Sequence, residues 1–202
     1  MKRSRKADGD LETRLFQAAL EVQDFFEEHG WDFAFIGGLA LMRWGQRRVT
    51  EDVDGTLLTL FADEEKYVDT ILEKFESRIS DARNFALKNR VLLLTASNGV
   101  GLDFSLGGLP FEQRAVERAS FYEYAPNYVL RTCSAEDLIV MKAFADREQD
   151  RVDVRWILER RRGKLNLDYI LENLTPLAEL KDAPEIVDRL NGMIHRIDQT
   201  PI

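Results

Sequence analysis

A glycine pair and two aspartates, separated by a short apolar segment, constrain this chain more than any other feature. The stretch is FIGGLALMRWGQRRVTEDVDG, residues 35–55. Alternate residues of a β-strand project from the same face, so the strand predicted for residues 51–60 points Asp52 and Asp54 to one side and Val53 to the other. Two carboxylates on one face repel each other, so the pattern indicates that something positive sits between them.

A third aspartate occurs in a comparable setting later in the chain. Asp103 lies in VGLDFSL, residues 100–106, between two apolar residues of a predicted strand. If this strand neighbours the first one, three carboxylates meet at one place. Hard oxygen ligands in this number suit Mg²⁺ or Mn²⁺, which bind substrate phosphates and keep several water ligands. The residues therefore predict a divalent metal site at Asp52, Asp54 and Asp103.

The glycine pair predicts a place for phosphate beside that metal. Gly37 and Gly38 follow a predicted strand and turn the chain into a short helix, LALMRWG. Glycines let backbone N–H groups approach an anion closely, and the positive end of the helix dipole points the same way. Arg48 and Thr50, just ahead of the acids, add a cation and a hydroxyl. We expect the phosphates of a nucleoside triphosphate (NTP) to bind here.

Helical and strand patterns alternate through the first two-thirds of the chain, and from Ser134 onward the pattern is helical. The predicted fold class is α+β: a mixed sheet flanked by helices, followed by a C-terminal helical bundle. The predicted organisation has three parts: a disordered basic tail over residues 1–10, an α/β domain over 11–132, and a helical region packed on it over 133–202.

Composition excludes several other classes of protein. No apolar run is long enough to cross a bilayer, and the basic start lacks the apolar segment of a signal peptide, so we expect a cytoplasmic protein without a membrane partner. The single Cys133 rules out an internal disulfide and a cysteine-based zinc site. A formal net charge of -8 argues against a generally basic nucleic-acid surface. Two clusters of arginines still allow a local basic surface. They are Arg43, Arg47 and Arg48, and residues 160–162.

Taken together, these residues resemble a known family. A glycine pair, an Asp-x-Asp about a dozen residues later and a further strand aspartate are similar to the DNA polymerase β-type nucleotidyltransferase superfamily. The run RRVTEDVD is closer still to the AbiEii-like toxin nucleotidyltransferases, in which Arg-x-Thr-x-Asp-x-Asp is usual. SAEDLIVMKAFADREQDRVDVRWIL also resembles the helical segment of that branch. The resemblance covers about residues 31–160.

The resemblance implies an activity and roles for individual residues. It implies two Mg²⁺ ions and transfer of a nucleoside monophosphate from an NTP to an acceptor hydroxyl. Asp52 and Asp54 would ligate metal, Asp103 would join them and help activate the acceptor, Gly38 would contact the triphosphate, and Lys142 would reach the nucleotide. The acceptor stays open between an RNA end, a protein and a small molecule. A cognate antitoxin is the partner that such toxins imply.

One residue departs from the family pattern and keeps other functions open. Gly55 follows the second aspartate, where the family normally has an apolar residue, and a glycine inside a strand often marks a bulge. A bulge would tilt Asp54 away from the metal. The alternative is a catalytically degenerate fold that binds a nucleotide or a partner protein. A third hypothesis is a structural protein whose acids bind a cation for stability.

Overall fold

The computed structural model describes residues 2–46, 48 and 50–199, and the side chains from residue 10 onward within them. Among these residues the chain divides into two compact units. The first unit takes in the chain up to residue 39 together with residues from 48 to 133, and the second takes in residues from 40 to 47 together with those after 133. The sequence predicted a boundary at 132/133 but did not predict that the residues after Leu39 belong with the helical part.

The first unit is built on one mixed sheet. Its helices are α1 (Lys2–Glu28), α3 (Glu64–Lys74), α4 (Ala82–Asn89) and α5 (Pro110–Glu117). Its strands are β1 (Phe33–Phe35), β2 (Asp52–Leu58), β3 (Glu76–Ser77), β4 (Val91–Thr95), β5 (Gly101–Gly107), β6 (Ser120–Ala125) and β7 (Tyr128–Thr132). Within the described residues these strands form a single sheet in the order β3-β4-β5-β2-β1-β7-β6. Strands β2 and β5 run parallel at its centre, and β1 and β4 flank them antiparallel.

The second unit is helical. It contains α6 (Ala135–Ala145), α7 (Glu148–Arg160), α8 (Leu167–Leu180) and α9 (Glu185–Gln199). Helix α2 (Gly37–Trp44) begins in the first unit and ends in the second. Helix α6 starts where the sequence predicts, because the Ser134 hydroxyl accepts the backbone N–H of Asp137. A mixed sheet flanked by helices, with helices after it, confirms the predicted fold class.

Aromatic side chains form the core under the central strands. Phe26 on α1 packs edge-on against Phe104 on β5 and Phe33 on β1, with ring centroids 5.1 and 5.3 Å apart. Phe104 projects from the face of β5 opposite to Asp103, because neighbouring residues of a strand alternate. Burial of this aromatic cluster therefore orients β5 so that Asp103 faces away from α1.

Three local features differ from the sequence-based expectations. Residues 2–10 belong to α1 instead of a disordered tail, because a helix nucleated in the amphipathic segment beyond them extends readily through lysines and arginines. The glycine pair forms the first two residues of α2 instead of a turn ahead of it. Strand β6 carried no strand prediction, since it is an exposed edge strand with little apolar alternation.

No helix within the described ranges is long and apolar enough to cross a membrane.

Candidate active site

Pairing of β2 with β5 brings the three predicted acids to one face of the sheet. The parallel register sets Asp54 directly beside Asp103 and Asp52 beside Gly101. All three acids are half-buried, whereas the intervening Val53 is buried on the other face. The acids lie 49 residues apart or more in sequence from strand to strand, so only the sheet register could join them.

Gly37 stands against Asp54, and any side chain at residue 37 would be strained and would clash with that acid. Its φ of +53° lies in the left-handed region, and a Cβ on it would sit 2.0 Å from Asp54 Oδ2. The backbone N–H of Gly38 points at the same oxygen over a long 3.5 Å. The start of α2 therefore directs backbone N–H toward the acids, which is the arrangement that the sequence suggested for binding an anion.

Thr50 borders the glycine pair on the other side. A Cβ on Gly38 would lie 2.4 Å from Thr50 Oγ1, so a side chain at residue 38 would displace the threonine. The Thr50 hydroxyl in turn donates to the Asp52 backbone oxygen at 3.4 Å. Arg48 is half-buried in the segment before β2. The predicted contacts of Arg48 and Thr50 with phosphate stay predictions, and Arg47 lies outside the described residues.

Gly55 does not bend β2. The register runs without a shift from Asp52 to Leu58, through the pairs of Gly55 with Phe104 and with Phe35. A Cβ on Gly55 would lie 2.2 Å from Phe104 Cε1. The glycine is there because the Phe104 ring occupies the space that a side chain would need. The bulge considered from the sequence is therefore wrong, and Asp54 keeps its place on the face with Asp52.

A cation that sequence reasoning missed lies among the acids. Arg78 follows β3, and its Nη2 donates to Asp103 Oδ1. Its Nη1 lies 3.2 Å from the position of a Cβ on Gly101, and Asp52 Oδ1 lies 2.1 Å from that same position. The guanidinium is thus the positive group beside the carboxylates. No sequence signal marks it, since Arg78 sits in a short irregular connection 25 residues from its partner.

Lys142 is held inside the second unit by two carboxylates. Its Nζ donates to Asp150 at 3.1 Å and to Asp153 at 2.7 Å, and all three side chains are buried. These bonds join α6 to α7. The predicted contact of Lys142 with a nucleotide stays a prediction, and any such contact has to compete with this pairing.

Asp150, one of the two carboxylates that bind Lys142, has a perturbed pKa. Burial alone would raise the pKa of Asp150, but the hydrogen bond from Arg147 and the nearby Lys142 ammonium outweigh it, and the pKa is lowered. Asp146 at the end of α6 shows the same balance. Burial alone would raise its pKa, but the hydrogen bonds from Arg151 and Arg189 outweigh burial and lower it. Both carboxylates are ionised at neutral pH and act as anionic anchors for the helices.

Comparison with known sequences identifies the family. The family model described as nucleotidyl transferase AbiEii toxin, type IV TA system, matches residues 23–183, which is more than half of the chain. This chain belongs to the AbiEii nucleotidyltransferase family. The match includes the glycine pair, all three acids and Lys142, and it confirms the resemblance drawn from the motif. This chain is therefore a nucleotidyltransferase of a toxin–antitoxin family. No curated protein sequence matches it.

Solved structures similar to this chain were also found. An antigenic nucleotidyltransferase-like protein from Paracoccidioides brasiliensis superimposes with a TM-score of 0.50 at 15% identity, covering 89% of this chain and 93% of that chain. The lincosamide antibiotic adenylyltransferase LnuA, lincomycin-bound, gives 0.46 at 15% identity, covering 70% and 94%. The antibiotic-resistance factor ANT(2'')-Ia gives 0.42 at 16% identity, covering 91% and 92%. At these identities the likeness concerns the fold.

The three acids of this chain have the chemistry of ligands for a divalent ion. Asp52, Asp54 and Asp103 supply carboxylate oxygens from one face, the ligand type that Mg²⁺ and Mn²⁺ prefer. Gly37 leaves Asp54 room that a Cβ would fill. In the part of the chain that the structure describes, however, no three carboxylate, histidine or cysteine side chains are gathered tightly enough to enclose an ion. Arg78 is paired with Asp103 instead, so the metal ligation predicted for Asp103 stays a prediction.

A second, basic cluster lies in the helical unit of the AbiEii protein. The guanidinium groups of Arg43 and Arg161 lie over the Trp44 ring, 4.1 and 5.2 Å from its centroid. Arg160 Nη1 donates to the Gly45 backbone oxygen and ties the end of α7 to the end of α2. Arg43 and Arg161, more than 100 residues apart in sequence, thereby meet around one aromatic ring.

Proposed function

We propose that this AbiEii protein transfers a nucleoside monophosphate from an NTP to an acceptor hydroxyl, with Mg²⁺ or Mn²⁺ as cofactor. The proposal rests on one observation, the register that sets Asp54 beside Asp103, two register pairs from Asp52 on the same face. Catalysis in such a site is mainly positioning and neutralisation of charge on the phosphates. An NTP substrate also agrees with the cytoplasmic location that the sequence predicts.

Each group of the site has a part in this proposal. Asp52, Asp54 and Asp103 would hold the divalent ion, which when bound neutralises charge on the transferring and leaving phosphates. The backbone N–H groups of Gly37 and Gly38, with Arg48 and Thr50, would hold the triphosphate, and Lys142 would contact the nucleotide. These residues fix the α-phosphate relative to the acceptor.

The proposed reaction is an in-line displacement with a simple balance. A bond forms between the acceptor oxygen and the α-phosphorus, and the bond from that phosphorus to the bridging oxygen of the β-phosphate breaks. Pyrophosphate leaves with the electrons of that bond. The proton of the acceptor hydroxyl passes to a carboxylate oxygen of Asp103.

The experiment that tests this proposal follows the nucleotide. The full chain is incubated with α-labelled NTPs, Mg²⁺ and a cell extract, and label is sought on RNA, on protein and on small molecules. We expect transfer by the wild type and loss of transfer in Asp52→Asn and Asp54→Asn. Glu51→Gln is the matched control, because Glu51 is an exposed acid next to β2. Transfer that survives both aspartate substitutions contradicts the assignment of the site.

We propose an RNA end as the acceptor. Arginine side chains bind phosphates, and aromatic rings stack on unpaired bases, so Arg43, Trp44 and Arg161 provide the chemistry of an RNA contact in a chain that is otherwise acidic. Arg43→Gln with Arg161→Gln should weaken binding of the RNA pool and reduce its salt dependence. Arg83→Gln serves as the control, because Arg83 is an exposed arginine that pairs with Glu65 and Asp69. Label on protein or on a small molecule, and none on RNA, contradicts this choice of acceptor.

We further propose a cognate antitoxin as partner, in keeping with the family. Expression of the wild type should arrest growth, and co-expression of the neighbouring reading frame should restore it. Asp54→Asn should abolish the arrest if toxicity depends on transfer. An NTP-binding protein without transfer or toxicity would favour the catalytically degenerate alternative.

A further inference from the structure

Arg78 is presented to the acids by the sheet itself. Its backbone N–H donates to the Leu93 oxygen at 2.9 Å, and Leu93 on β4 is the register partner of Asp103 on β5. The backbone of Arg78 is therefore fixed across one intervening strand, β4, from Asp103. The Arg78 guanidinium is therefore held next to the acids by the pairing of the sheet, and it does not depend on a remote loop for its position.

The guanidinium lies where the charge of two acids is concentrated. Its Nη2 contacts Asp103 directly. Its Nη1 and Asp52 Oδ1 both lie close to the position that a Cβ on Gly101 would occupy. The side chains of Arg78 and Asp103 are 35% and 34% exposed, so water reaches the pair. An ion pair exposed to this degree exchanges partners readily, unlike a fully buried one.

We infer that Arg78 is the internal counter-ion of this carboxylate face, and that a divalent cation displaces it from Asp103. The inference rests on the proposed function in one respect, that the acids bind a divalent ion. An arginine does not lose its proton at any physiological pH, so its charge can leave the acids only if the side chain moves. A divalent ion and a guanidinium repel each other and compete for the same oxygens.

This competition has a consequence for the order of binding. A metal ion that arrives alone has to displace Arg78 without compensation. A metal ion that arrives with an NTP brings phosphate charge that the displaced guanidinium can face. Arg78 thereby weakens binding of the bare ion more than binding of the metal–NTP pair, and it acts as a positioning residue for Asp103.

The test measures Mn²⁺ affinity of the full chain by calorimetry without nucleotide. Arg78→Gln should bind Mn²⁺ roughly tenfold more tightly than the wild type, and Arg78→Lys, which keeps the charge, should lie between them. Arg83→Gln should match the wild type, because Arg83 pairs with Glu65 and Asp69 on α3, away from the three acids in sequence and in pairing. With Mn²⁺ and a non-hydrolysable NTP together, the difference between Arg78→Gln and the wild type should shrink.

A second readout covers the case in which Arg78→Gln folds poorly. In EDTA its Tm should be lower than that of the wild type, and added Mn²⁺ should raise the Tm of Arg78→Gln by more than it raises that of the wild type. Equal or weaker Mn²⁺ affinity in Arg78→Gln overturns the inference, as does the absence of Mn²⁺ binding in every variant. Tighter Mn²⁺ binding without nucleotidyl transfer leaves the inference intact and overturns the proposed function instead.

Discussion

Asp54 and Asp103 are direct register partners on parallel strands, so their side chains emerge side by side from the same face of the sheet. Asp52 is two residues before Asp54 on that face. Two of the proposed metal ligands, and the acid that is also proposed to take the proton, thus come from neighbouring strands whose spacing is set by backbone hydrogen bonds. This relationship allows the roles of the acids to be separated by experiment.

We expect Asp103→Asn to affect chemistry more than binding. An asparagine keeps the shape of the side chain but cannot accept the proton of the acceptor hydroxyl. Single-turnover transfer should fall by about a hundredfold or more. Equilibrium binding of a non-hydrolysable NTP with Mg²⁺ should change by a much smaller factor. Asp54→Asn should instead weaken metal and NTP binding together, and equal losses of binding in both variants would contradict the separate role of Asp103.

Gly37→Ala should damage both stability and transfer. The alanine has to adopt a left-handed backbone, which costs about 1–2 kcal/mol, and its Cβ would overlap Asp54 Oδ2. Displacement of a reacting group by about 1 Å can lower a rate by about a hundredfold. Gly30→Ala is the matched control, since Gly30 has a φ of +66° with no atom within 4 Å of its Cβ position. Urea unfolding and transfer assays on both variants separate the backbone effect from the clash.

Gly55→Val, which introduces the kind of residue usual in the family, should destabilise this protein. The new side chain would overlap the Phe104 ring, and overpacking of this kind typically costs about 1–3 kcal/mol. Replacing Phe104 with leucine in the same chain should recover part of the loss, although Phe104→Leu alone is destabilising. A double-mutant cycle by urea unfolding measures this coupling. If the effects of the two substitutions are additive, the Phe104 ring is not the reason why residue 55 has to be glycine.

Lys142→Met should be strongly destabilising. It leaves Asp150 and Asp153 buried without their shared ammonium, and breaking a buried ion pair in this way costs about 3–5 kcal/mol. Lys66→Met, which removes an exposed pair with Asp63, should cost less than about 1 kcal/mol. Combining Lys142→Met with Asp150→Asn and Asp153→Asn should restore stability. If the stable triple variant still binds NTP like the wild type, the predicted contact of Lys142 with nucleotide is wrong.

Acid should destabilise the helical unit through Asp146 and Asp150. Their pKa values in the folded chain lie below the ordinary 3.8, so their contribution to stability is complete above pH 3.8 and is lost as pH falls through the folded values. The free energy of unfolding is measured in urea from pH 6 to pH 2.5. We expect the part that Asp146 and Asp150 contribute to be lost below pH 3.8. Asp146→Asn and Asp150→Asn should each make the fall shallower.

Asp24 provides a control of opposite sign. Burial and the nearby charge of Glu28 raise the pKa of its carboxyl, so ionised Asp24 opposes folding at neutral pH. Asp24→Asn should therefore increase stability at pH 7. A decrease at pH 7 would contradict the direction of that shift.

Much of the site could be predicted from the sequence because its signals are local. The two-residue period of a strand already sets Asp52 and Asp54 on one face, and glycines before a helix already indicate close backbone approach. The mixed sheet and the family both followed from such patterns. These features depend on residues that are close together in the chain.

Only the tertiary structure decided what each of these residues meets. Arg78 faces Asp103 because β3, β4 and β5 pair in one register, Gly55 is required because Phe104 projects from the neighbouring strand, and Lys142 is neutralised by carboxylates on the next helix. Each of these contacts joins segments whose relative position is set by burial of the whole core. No period or short motif in the sequence carries that information, because the free energy that selects a register is summed over all the strands and helices that pack together.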